Sequence, residues 1–578
     1  MLQLTDLRLS DHAQLVVGAT CLCIIALISR AYLSSTESSL SFPPSPLTWR
    51  LRGHLIPTRN GFLTVASWIE EYGPLITLRT GIEKYIVIGR YKAAAEIMEK
   101  QGASLVDRPR FIAAGELLSG GMAIPFVPAG ERFRRLRRLV PKAAEAYQPL
   151  QISYAKNTVI DILNDPCNFQ DHARTYAATT SMKIAYGKTT PTSATDPEVK
   201  RVAEFADKVR AALHPGAYLV DSITWLKYLP WYARELRDSY RDSRKLFIEQ
   251  LGRLKQELGG GEASPSLGRR LLEKNSSNAM PELEIAYLAG MVFVAGYDTT
   301  TLAICTVLMA AACFPEEQRK VHEELDAVIG TDRAPAFTDK KSLPRFHAFV
   351  SEALRWRPLF TCLKKLHLTV QTGRLSYSSR DNDIWQSLVR ALLSNLIDLI
   401  CSRFRAISRD PDVFPDPNAF KPDRWLDTEG RVRDDLKFFV FGFGRRVCPG
   451  QHVANSSVFI NTVLTLWAFR LTLDRTKPLD DAAFMNGILP NEQPCTIDFQ
   501  TRIPEAELRR IMGGTLGTLE SEVWLRSSQS HAGDEQHRRS QITALASKYI
   551  VIYVPVMKEC GVCACVATNA RNSVIPFH

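Results

Sequence analysis

One cysteine, Cys448, lies in a short loop that constrains the fold of this chain more than any other feature. The loop has the sequence Phe-Gly-Phe-Gly-Arg-Arg-Val-Cys-Pro-Gly. Gly442 and Gly444 can adopt backbone angles closed to other residues, so a tight turn can bring amide N–H groups close to the sulfur. Arg446 adds a positive charge, and Pro449 fits the first turn of a following helix, whose positive dipole end would face the sulfur. The loop therefore predicts a cysteine held as a thiolate, the form that binds metal ions.

A buried, unreactive cysteine in a glycine-rich turn is the alternative interpretation of Cys448. The spacing F-x-x-G-x-R-x-C-x-G argues against it, because this spacing resembles the haem-binding loop of the cytochrome P-450 family. The resemblance implies that Cys448 is the axial ligand of the iron of haem b. It also implies cofactor contacts from Phe441, Gly442, Gly444, Arg446 and Gly450.

A second motif, Ala-Gly-Tyr-Asp-Thr-Thr, occupies residues 295–300 inside a long apolar stretch that predicts a buried helix. Gly296 weakens that helix, and the Thr299 hydroxyl can bond the carbonyl of Ala295, which would open a groove. The motif lies 149 residues before the cysteine and resembles the oxygen-activation motif of the same family. The resemblance implies that Thr299 lies at the dioxygen site and that Asp298 belongs to a proton relay.

A third motif places Glu352 and Arg355 on one face of a predicted helix. The pattern E-x-x-R occurs five more times in this chain, where it predicts surface pairs that contribute little. The copy at Glu352 differs because Trp-Arg-Pro follows it and Pro-Asp-Arg-Trp, which contains Arg424, lies downstream. In the family such segments form a Glu/Arg/Arg network that holds the cysteine loop. The resemblance therefore implies a structural network of these three residues, whose loss would cost haem and fold.

Five arginines are concentrated in one predicted helix before residue 140. The same helix has Phe133 where the family usually has a tryptophan that binds a haem propionate, and phenylalanine cannot donate that hydrogen bond. Arg137 and Arg446 remain the predicted propionate partners. A solvated helix face, an anionic membrane surface or an acidic electron-transfer partner would also explain the cluster. It consists of Arg132, Arg134, Arg135, Arg137 and Arg138.

The length and composition predict a globular chain that is long enough for one large core or for several domains. The chain has 578 residues, of which 45% are hydrophobic and 23% charged. Apolar residues recur at helical spacing after Lys92, whereas residues 75–78 and 85–88 predict a β-hairpin. The resemblance spans residues 47–512 and implies the mainly α cytochrome P-450 fold with small β-sheets. Scattered cysteines indicate a reducing compartment, and the net charge of +11 comes with no nucleic-acid-binding module, so we expect no nucleic-acid partner.

The N-terminal segment predicts a membrane anchor. Residues 13–29 carry no charge over 17 residues, the lower limit for crossing a bilayer. A cleaved signal peptide is the alternative, but the segment lacks a basic start. We expect a lumenal tail at 1–12, a single transmembrane signal-anchor at 13–30 and a proline-rich hinge at 31–46 that resembles microsomal family members. Basic residues after the anchor place the body in the cytosol, at the endoplasmic reticulum.

Two segments depart from the family. Between Pro358 and Arg409 the family has a short hairpin rich in glycine and proline, whereas the 50 residues here contain one glycine and no proline. Residues 385–400 instead predict an amphipathic helix. We therefore expect residues 361–404 to be atypical and hypothesise a gene-model error such as a retained intron. The extension 513–578 resembles no part of the family.

The resemblance implies a haem-thiolate monooxygenase that inserts one oxygen atom from O2 into a lipophilic small molecule, with electrons from NADPH through a flavoprotein reductase. Apolar residues 111–126 and 219–231 predict the pocket walls. The sequence around Trp225 resembles fungal members, many of which act in secondary metabolism or xenobiotic oxidation. Two alternatives stay open. A haem-thiolate isomerase or dehydratase is disfavoured by the Asp298-Thr299 pair, and a degenerate, non-catalytic haem-binding protein is favoured by the atypical segment.

Overall fold

The structure, a computed structural model, describes most of the chain up to residue 513. All described residues belong to one compact unit, Met1–Gly513, and the second unit, Gly514–His578, lies outside them. The predicted C-terminal extension therefore lies outside the described residues, except for its first residue. The described ranges are 18–23, 25–26, 43–47, 53–57, 61–80, 83–100, 106–108, 110–139, 145–188, 192–213, 216–261, 264–275, 280–359, 363–367, 399–402, 404–436, 439–474 and 497–513.

Helices dominate the described chain, as the spacing of its apolar residues predicts. The α-helices are α1 (Gly61–Tyr72), α2 (Tyr91–Ala95), α3 (Glu131–Leu139), α4 (Gln148–Asn164), α5 (Phe169–Tyr186), α6 (Pro197–Ala212), α7 (Arg234–Gly259), α8 (Leu267–Lys274), α9 (Glu282–Cys313), α10 (Pro315–Val328), α11 (Pro344–Trp356), α12 (Phe404–Ile407), α13 (Gln451–Ala468) and α14 (Glu505–Gly513). The strands are β1 (Leu75–Thr80), β2 (Glu83–Ile88), β3 (Leu363–His367), β4 (Leu399–Ser402), β5 (Phe469–Leu473) and β6 (Ile497–Thr501). The predicted mainly α fold with small β-sheets is confirmed.

The 32-residue helix α9 runs through the core and packs against α5, α7, α11 and α13. It is apolar on nearly every side, which is typical of a helix buried all round. Two glycines let its neighbours approach closely. A Cβ at Gly290 would lie 2.5 Å from the ring of Phe247 on α7, and one at Gly296 would lie 2.8 Å from Ser181 on α5. Gly296 is thus required for packing, in addition to its predicted effect on the helix.

The larger sheet has the strand order β1-β2-β4-β3. Strands β1 and β2 form the predicted antiparallel hairpin, with Leu75 opposite Ile88. Strand β4 lies parallel to β2 and antiparallel to β3. The remaining strands, β5 and β6, form a separate antiparallel pair after α13. Strands β3 and β4 lie near the two ends of the atypical segment 361–404. Both ends of that segment therefore contribute a strand to the larger sheet.

The amphipathic helix predicted at 385–400 is wrong at its C-terminal end, because Leu399 and Ile400 belong to β4. Their pairing with Ile86 and Leu366 explains the difference: a short apolar run has no decisive periodicity, and the open edge of a neighbouring strand determines its conformation. Residues 385–398 lie outside the described residues.

The predicted anchor is described only at residues 18–23 and 25–26, which are helical, with Leu22 and Ile25 exposed. Within the described part of the chain, α9 alone is a helix of sufficient length and apolar character to cross a membrane. That helix belongs to the protein core, with 67% of its most apolar stretch buried. The anchor at 13–30 stays a prediction.

Candidate active site

The cysteine loop is a tight turn in which Cys448 follows two short 3-10 segments, Phe439–Phe441 and Gly444–Arg446. The backbone N–H of Cys448 donates to the carbonyl of Phe441 at 2.9 Å, and that of Gly442 donates to the carbonyl of Phe439 at 2.8 Å. Gly442 has a φ of +85° and Gly444 a φ of +65°, the left-handed region that other residues rarely adopt. The predicted need for glycine at both positions is confirmed.

Gly444 has a second constraint, which the sequence did not reveal. A Cβ at this position would lie 2.1 Å from the carbonyl oxygen of Met98, so any side chain would force the loop away from the Glu96–Lys100 turn. Gly450 differs from Gly444, because its φ is −90° and its Cβ would meet open space. Gly450 is the N-cap of α13, and Pro449 therefore precedes the helix instead of lying in its first turn, which corrects the prediction.

Arg446 is fixed by three contacts. Its Nε donates to the carbonyl of Val106 at 2.7 Å, and its Nη2 donates to the carbonyl of Val127 at 2.9 Å. Its guanidinium carbon lies 3.5 Å from the ring centroid of Phe133 on α3. Phe133, which stands where the family usually has tryptophan, therefore supports Arg446 through a cation–π contact. Burial lowers the pKa of Arg446 to about 10.

Two further arginines share this region. Arg108 is 6% exposed, and burial together with the charge of Arg446 lowers its pKa to about 9. Burial also lowers the pKa of Arg137, while the negative charge of Cys448 opposes that shift. The charges of Arg108, Arg446 and Arg137 act on one another, and three partly desolvated cations so close together favour an anionic ligand. A cofactor with two carboxylates, as in haem b, fits this set of donors.

Sequence reasoning missed Arg108. A single arginine in a loop has no periodic pattern, and it lies 338 positions before Arg446 in the chain. The Asp107 carboxylate fixes this loop by accepting from the N–H groups of Arg108 at 2.8 Å and Ala129 at 2.7 Å. The one sequence signal for this loop was Asp107 beside the arginine. An aspartate side chain can stabilise a turn by accepting hydrogen bonds from neighbouring backbone N–H groups.

The arginine cluster of α3 divides into separate roles. Glu284, at the start of α9, accepts from Arg132 at 2.5 Å and from Arg135 at 2.8 Å, so these two arginines fasten α3 to α9. Arg134 and Arg138 are exposed. The cluster is therefore neither one solvated face nor one binding surface.

Thr299 and Asp298 lie midway along α9. The Thr299 hydroxyl donates to the carbonyl of Ala295 at 2.7 Å, which is the hydrogen bond that the sequence predicts. Asp298 accepts from Nη1 of Arg210 on α6 at 2.6 Å. The Asp298 side chain is 38% exposed, so it lies between the core and solvent.

The predicted Glu/Arg/Arg network is present in the core. Arg355 donates to both oxygens of Glu352 at 2.7 Å, and both side chains are fully buried. Arg424 donates to the same carboxylate at 3.3 Å, Trp425 at 3.0 Å through Nε1, and Lys421 at 2.8 Å through its backbone N–H. Both oxygens of the Glu352 carboxylate therefore have their hydrogen-bond acceptor positions filled.

The network reaches the cysteine loop through two aromatic rings, Phe414 and Phe439. The Arg355 guanidinium lies 5.5 Å from the ring of Phe414, which in turn lies 6.1 Å from the ring of Phe439. The carbonyl of Phe439 accepts from the N–H of Gly442. Arg355 also donates to the carbonyls of Ser408, Pro417 and Ala419.

The cytochrome P-450 family model matches residues 43–368 and 399–499. The chain belongs to the cytochrome P-450 family. It is 42% identical to cytochrome P-450 monooxygenase 113 of Postia placenta over 497 residues, covering 85% of this chain and 97% of the relative. Monooxygenase 64 of the same fungus is 43% identical, with coverage of 84% and 96%. A monooxygenase of Armillaria gallica is 30% identical, with coverage of 86% and 97%.

Membership of this family implies haem b, dioxygen and electrons supplied by a reductase, and the matched relatives are named monooxygenases, which is consistent with an oxidoreductase. The match also shows that the segment that departs from the family is shorter than the predicted 361–404. It includes residues 361–368 and 399–404 and omits 369–398, between strands β3 and β4. The hypothesis of a gene-model error stays a prediction for residues 369–398, which lie outside the described residues.

Proposed function

We propose that this protein is a membrane-bound haem-thiolate monooxygenase that inserts one atom of O2 into a lipophilic small molecule, the other atom leaving as water with two protons and two reductase-supplied electrons. The observation that carries the proposal is the hydroxyl–carbonyl bond of Thr299 beside the half-exposed Asp298. An acid and a hydroxyl next to each other on one helix provide a path for protons from solvent. This pair also argues against an isomerase or dehydratase.

Each candidate residue has a distinct task. Haem b, when bound, supplies the iron chemistry that activates dioxygen, with Cys448 as its thiolate ligand. Gly442 and Gly444 shape the loop that holds the sulfur, while Arg137 and Arg446 bind the haem carboxylates. Arg108 joins them as a third cation near the same carboxylates.

Protons travel along α9. Asp298, exposed to solvent on one side, exchanges protons with water, and the Thr299 hydroxyl holds the last proton donor in place at the groove. Because Thr299 bonds its own helix at Ala295, its hydroxyl oxygen stays oriented and can accept a hydrogen bond from water or ligand.

The two predicted pocket walls are joined to each other, which supports an apolar substrate site. The carboxylate of Asp221 accepts from the N–H groups of Ile112 at 2.8 Å and Ala113 at 3.0 Å. The rings of Phe111 and Phe126 lie 5.5 Å apart behind them. Apolar side chains around a few oriented polar groups favour a lipophilic ligand.

A group of exposed apolar side chains within the second predicted wall, residues 219–231, supports membrane association. Trp and Tyr side chains with apolar neighbours are typical of the membrane–water interface. Together with the predicted anchor at 13–30, this surface indicates a body that rests on the cytosolic side of the endoplasmic reticulum. The group consists of Leu219, Ile223, Trp225, Tyr228 and Trp231, which are 40–76% exposed.

The electron donor we propose is an NADPH-dependent flavoprotein reductase that approaches the side of Cys448. Arg134 and Arg138 of α3 are exposed and are not engaged by Glu284, so they are available to an acidic partner. Secondary metabolism or xenobiotic oxidation is the metabolic context that the resemblance to fungal members favours.

The first test is the carbon monoxide difference spectrum of the reduced full-length protein. A thiolate-type Soret band is expected, and Cys448→Ala should lose it. Its absence from the parent protein would instead favour a degenerate haem-binding protein.

The second test is Thr299→Ala in the reconstituted system with reductase. We expect more hydrogen peroxide per NADPH consumed, by about threefold or more, because the proton donor is no longer held. Thr301→Ala is the matched control, since Thr301 makes the same bond to the carbonyl of Tyr297 at 2.7 Å but is buried. Equal peroxide yields in both variants would contradict the role of Thr299.

A further inference from the structure

We propose that a buried water molecule occupies a polar site between α4, α5 and α13, where it helps to fasten the helix that follows the cysteine loop. The site shares no residue with the proposed proton path or substrate pocket. Helix α4 packs against both α5 and α13. The polar side chains at this junction are at most 3% exposed: Gln151 on α4, Tyr176 and Thr180 on α5, and Ser457 on α13.

Ser457 brings these side chains together. Its hydroxyl accepts a hydrogen bond from Nε2 of Gln151 at 2.8 Å. Burial raises the pKa of Tyr176, and the neighbouring hydroxyls of Ser457 and Thr180 lower it by a smaller amount. The Tyr176 hydroxyl therefore keeps its proton at neutral pH and lies close to both of those hydroxyls.

Three buried polar atoms at this junction have no hydrogen-bond partner among the residues that the structure describes. They are Oη of Tyr176, Oγ1 of Thr180 and Oε1 of Gln151. A buried hydroxyl or amide oxygen without a partner costs free energy, so in folded proteins such atoms are paired with protein groups or with internal water. Three of them at one junction therefore indicate a small polar ligand enclosed by the helices.

The orientation of Gln151 is fixed by α13. Its Nε2 also donates to the carbonyl of Val453 at 3.0 Å. A carbonyl oxygen only accepts hydrogen bonds, so the nitrogen of this amide has to face α13. The Oε1 atom of Gln151 is thus an acceptor that the described helices leave unused.

Thr180 differs from other buried threonines in the helices of this protein. Thr301 and Thr462 donate to the carbonyl four residues back, at 2.7 and 2.6 Å, and so satisfy their hydroxyls within their own helix. The Thr180 hydroxyl makes no bond of this kind to a described residue. Its proton is therefore available to a ligand at the junction.

Water fits this set of groups. One water molecule can accept from the hydroxyls of Tyr176 and Thr180 and donate to Oε1 of Gln151, and three hydrogen bonds are typical of a buried water. A cation such as Ca²⁺ would need more oxygen ligands, usually with a carboxylate among them, whereas the side chains here are neutral. An apolar molecule would leave the three atoms unpaired.

A fifth side chain supports hydration of this part of α13. Asn461 lies one turn after Ser457 and is fully buried. Both polar atoms of its amide lack a hydrogen-bond partner in the described chain. An amide whose donor and acceptor are both unpaired is a suitable place for a further internal water.

The site supports the start of α13. This helix begins at Gln451, three residues after Cys448. Gln151 binds its first two turns, at Val453 and Ser457. A water molecule at the site adds a link between α4 and α5 behind these contacts. The alternative is a dry junction in which three polar atoms stay unpaired and weaken the packing of the helices.

The first experiment is a crystal structure of the full-length, haem-loaded protein at a resolution that shows ordered water. We expect a density peak at about 2.7–3.2 Å from Oη of Tyr176, Oγ1 of Thr180 and Oε1 of Gln151. A junction without such a peak would overturn the proposal. A peak with contacts of about 2.3–2.6 Å, which is typical of a bound Ca²⁺ ion, would also overturn it.

The second experiment, Tyr176→Phe in the full-length, haem-loaded protein, distinguishes a hydrated junction from a dry one by the sign of its effect on stability. In a hydrated site the substitution removes a hydrogen bond to water, and we expect the thermal midpoint to fall by about 1–2 °C. In a dry site it removes an unpaired hydroxyl, and the midpoint should rise. An unchanged or raised midpoint would contradict the water site.

Tyr186→Phe is the matched control, because Tyr186 lies on the same helix, is fully buried and donates directly to the carbonyl of Ala286 at 3.0 Å. Its midpoint should fall whether or not the junction holds water, which shows that the measurement detects the loss of one buried hydroxyl bond. Thr180→Val is a second variant of the site, in case Tyr176→Phe does not load haem. Its midpoint should also fall, and a rise would overturn the proposal.

Discussion

Two carboxylate–guanidinium sites in this protein have the same chemistry and opposite surroundings. Glu352 is fully buried between Arg355 and Arg424, and Trp425 and the backbone of Lys421 satisfy its remaining acceptors. Asp298 is 38% exposed and has one arginine partner, which it shares with Asp207. A closed network resists change because removal of any member leaves a buried charge, whereas an open pair can exchange partners with water.

The difference teaches that burial, not residue type, separates a structural ion pair from one that suits the proton path proposed for Asp298. The Glu352 network fixes the segment that leads to the cysteine loop. Proton transfer through this network would leave a charge in the core without its partner. The role proposed for Asp298 requires a carboxylate that solvent can reach, and its 38% exposure meets that requirement. Variants at the two sites should therefore affect different observables.

The largest effect is expected for Glu352→Gln, which leaves Arg355 buried without its counter-charge. We expect a loss of about 3–5 kcal/mol in the free energy of unfolding, together with loss of haem incorporation. Haem content and denaturant unfolding measure the two effects. Glu507→Gln is the control, since Glu507 pairs with Arg510 on the surface of α14 and its loss should change neither observable. A stable, haem-loaded Glu352→Gln protein would contradict the structural role.

Arg424→Lys should have an intermediate effect. Arg424 donates to Glu352 and also to the carbonyls of Pro415, Asp416 and Ala419, a set that one ammonium group cannot reproduce. We expect a loss of about 1–2 kcal/mol, with haem retained, because Arg355 still neutralises Glu352. Thermal and denaturant unfolding provide the measurement. A loss as large as that of Glu352→Gln would show that the three members act as one unit.

Asp298→Asn should leave the fold intact and slow the reaction. The thermal midpoint should stay within about 2 °C of the parent protein, because the pair is partly screened by solvent. Turnover with reductase should fall by about tenfold or more, because an amide cannot exchange the proton. Loss of haem or of stability in this variant would place Asp298 with the structural network instead.

The smallest effect concerns a half-buried histidine, His347. Burial and the nearby charge of Lys340 lower the pKa of His347 to about 4. The unfolded chain therefore binds a proton below about pH 6.5 that the folded chain does not, and stability falls as the pH decreases from 6.5 towards 4. At pH 5.5 this amounts to about 1 kcal/mol, measurable by urea unfolding against a His347→Gln control with a flatter pH profile.

Much of the site was predictable because its motifs are local. Cys448 and both loop glycines lie within seven residues, and Thr299 bonds a carbonyl four residues back in its own helix. The Glu352 network was predictable only through its resemblance to the family, since Arg424 lies 72 residues after Glu352. Turn chemistry and helix geometry act over short distances in the chain, and so they leave a trace in sequence.

The sequence by itself determined the glycine turns of the cysteine loop and the mainly helical fold, and it carries the proposal that Cys448 is the iron ligand. Only the tertiary structure decided which distant side chains serve that loop. It placed Arg108 near Arg446, put Phe133 beneath the Arg446 guanidinium and paired Arg210 with Asp298. The physical reason is that desolvation and pairing depend on what surrounds a charge in space, and residues hundreds of positions apart supply those surroundings.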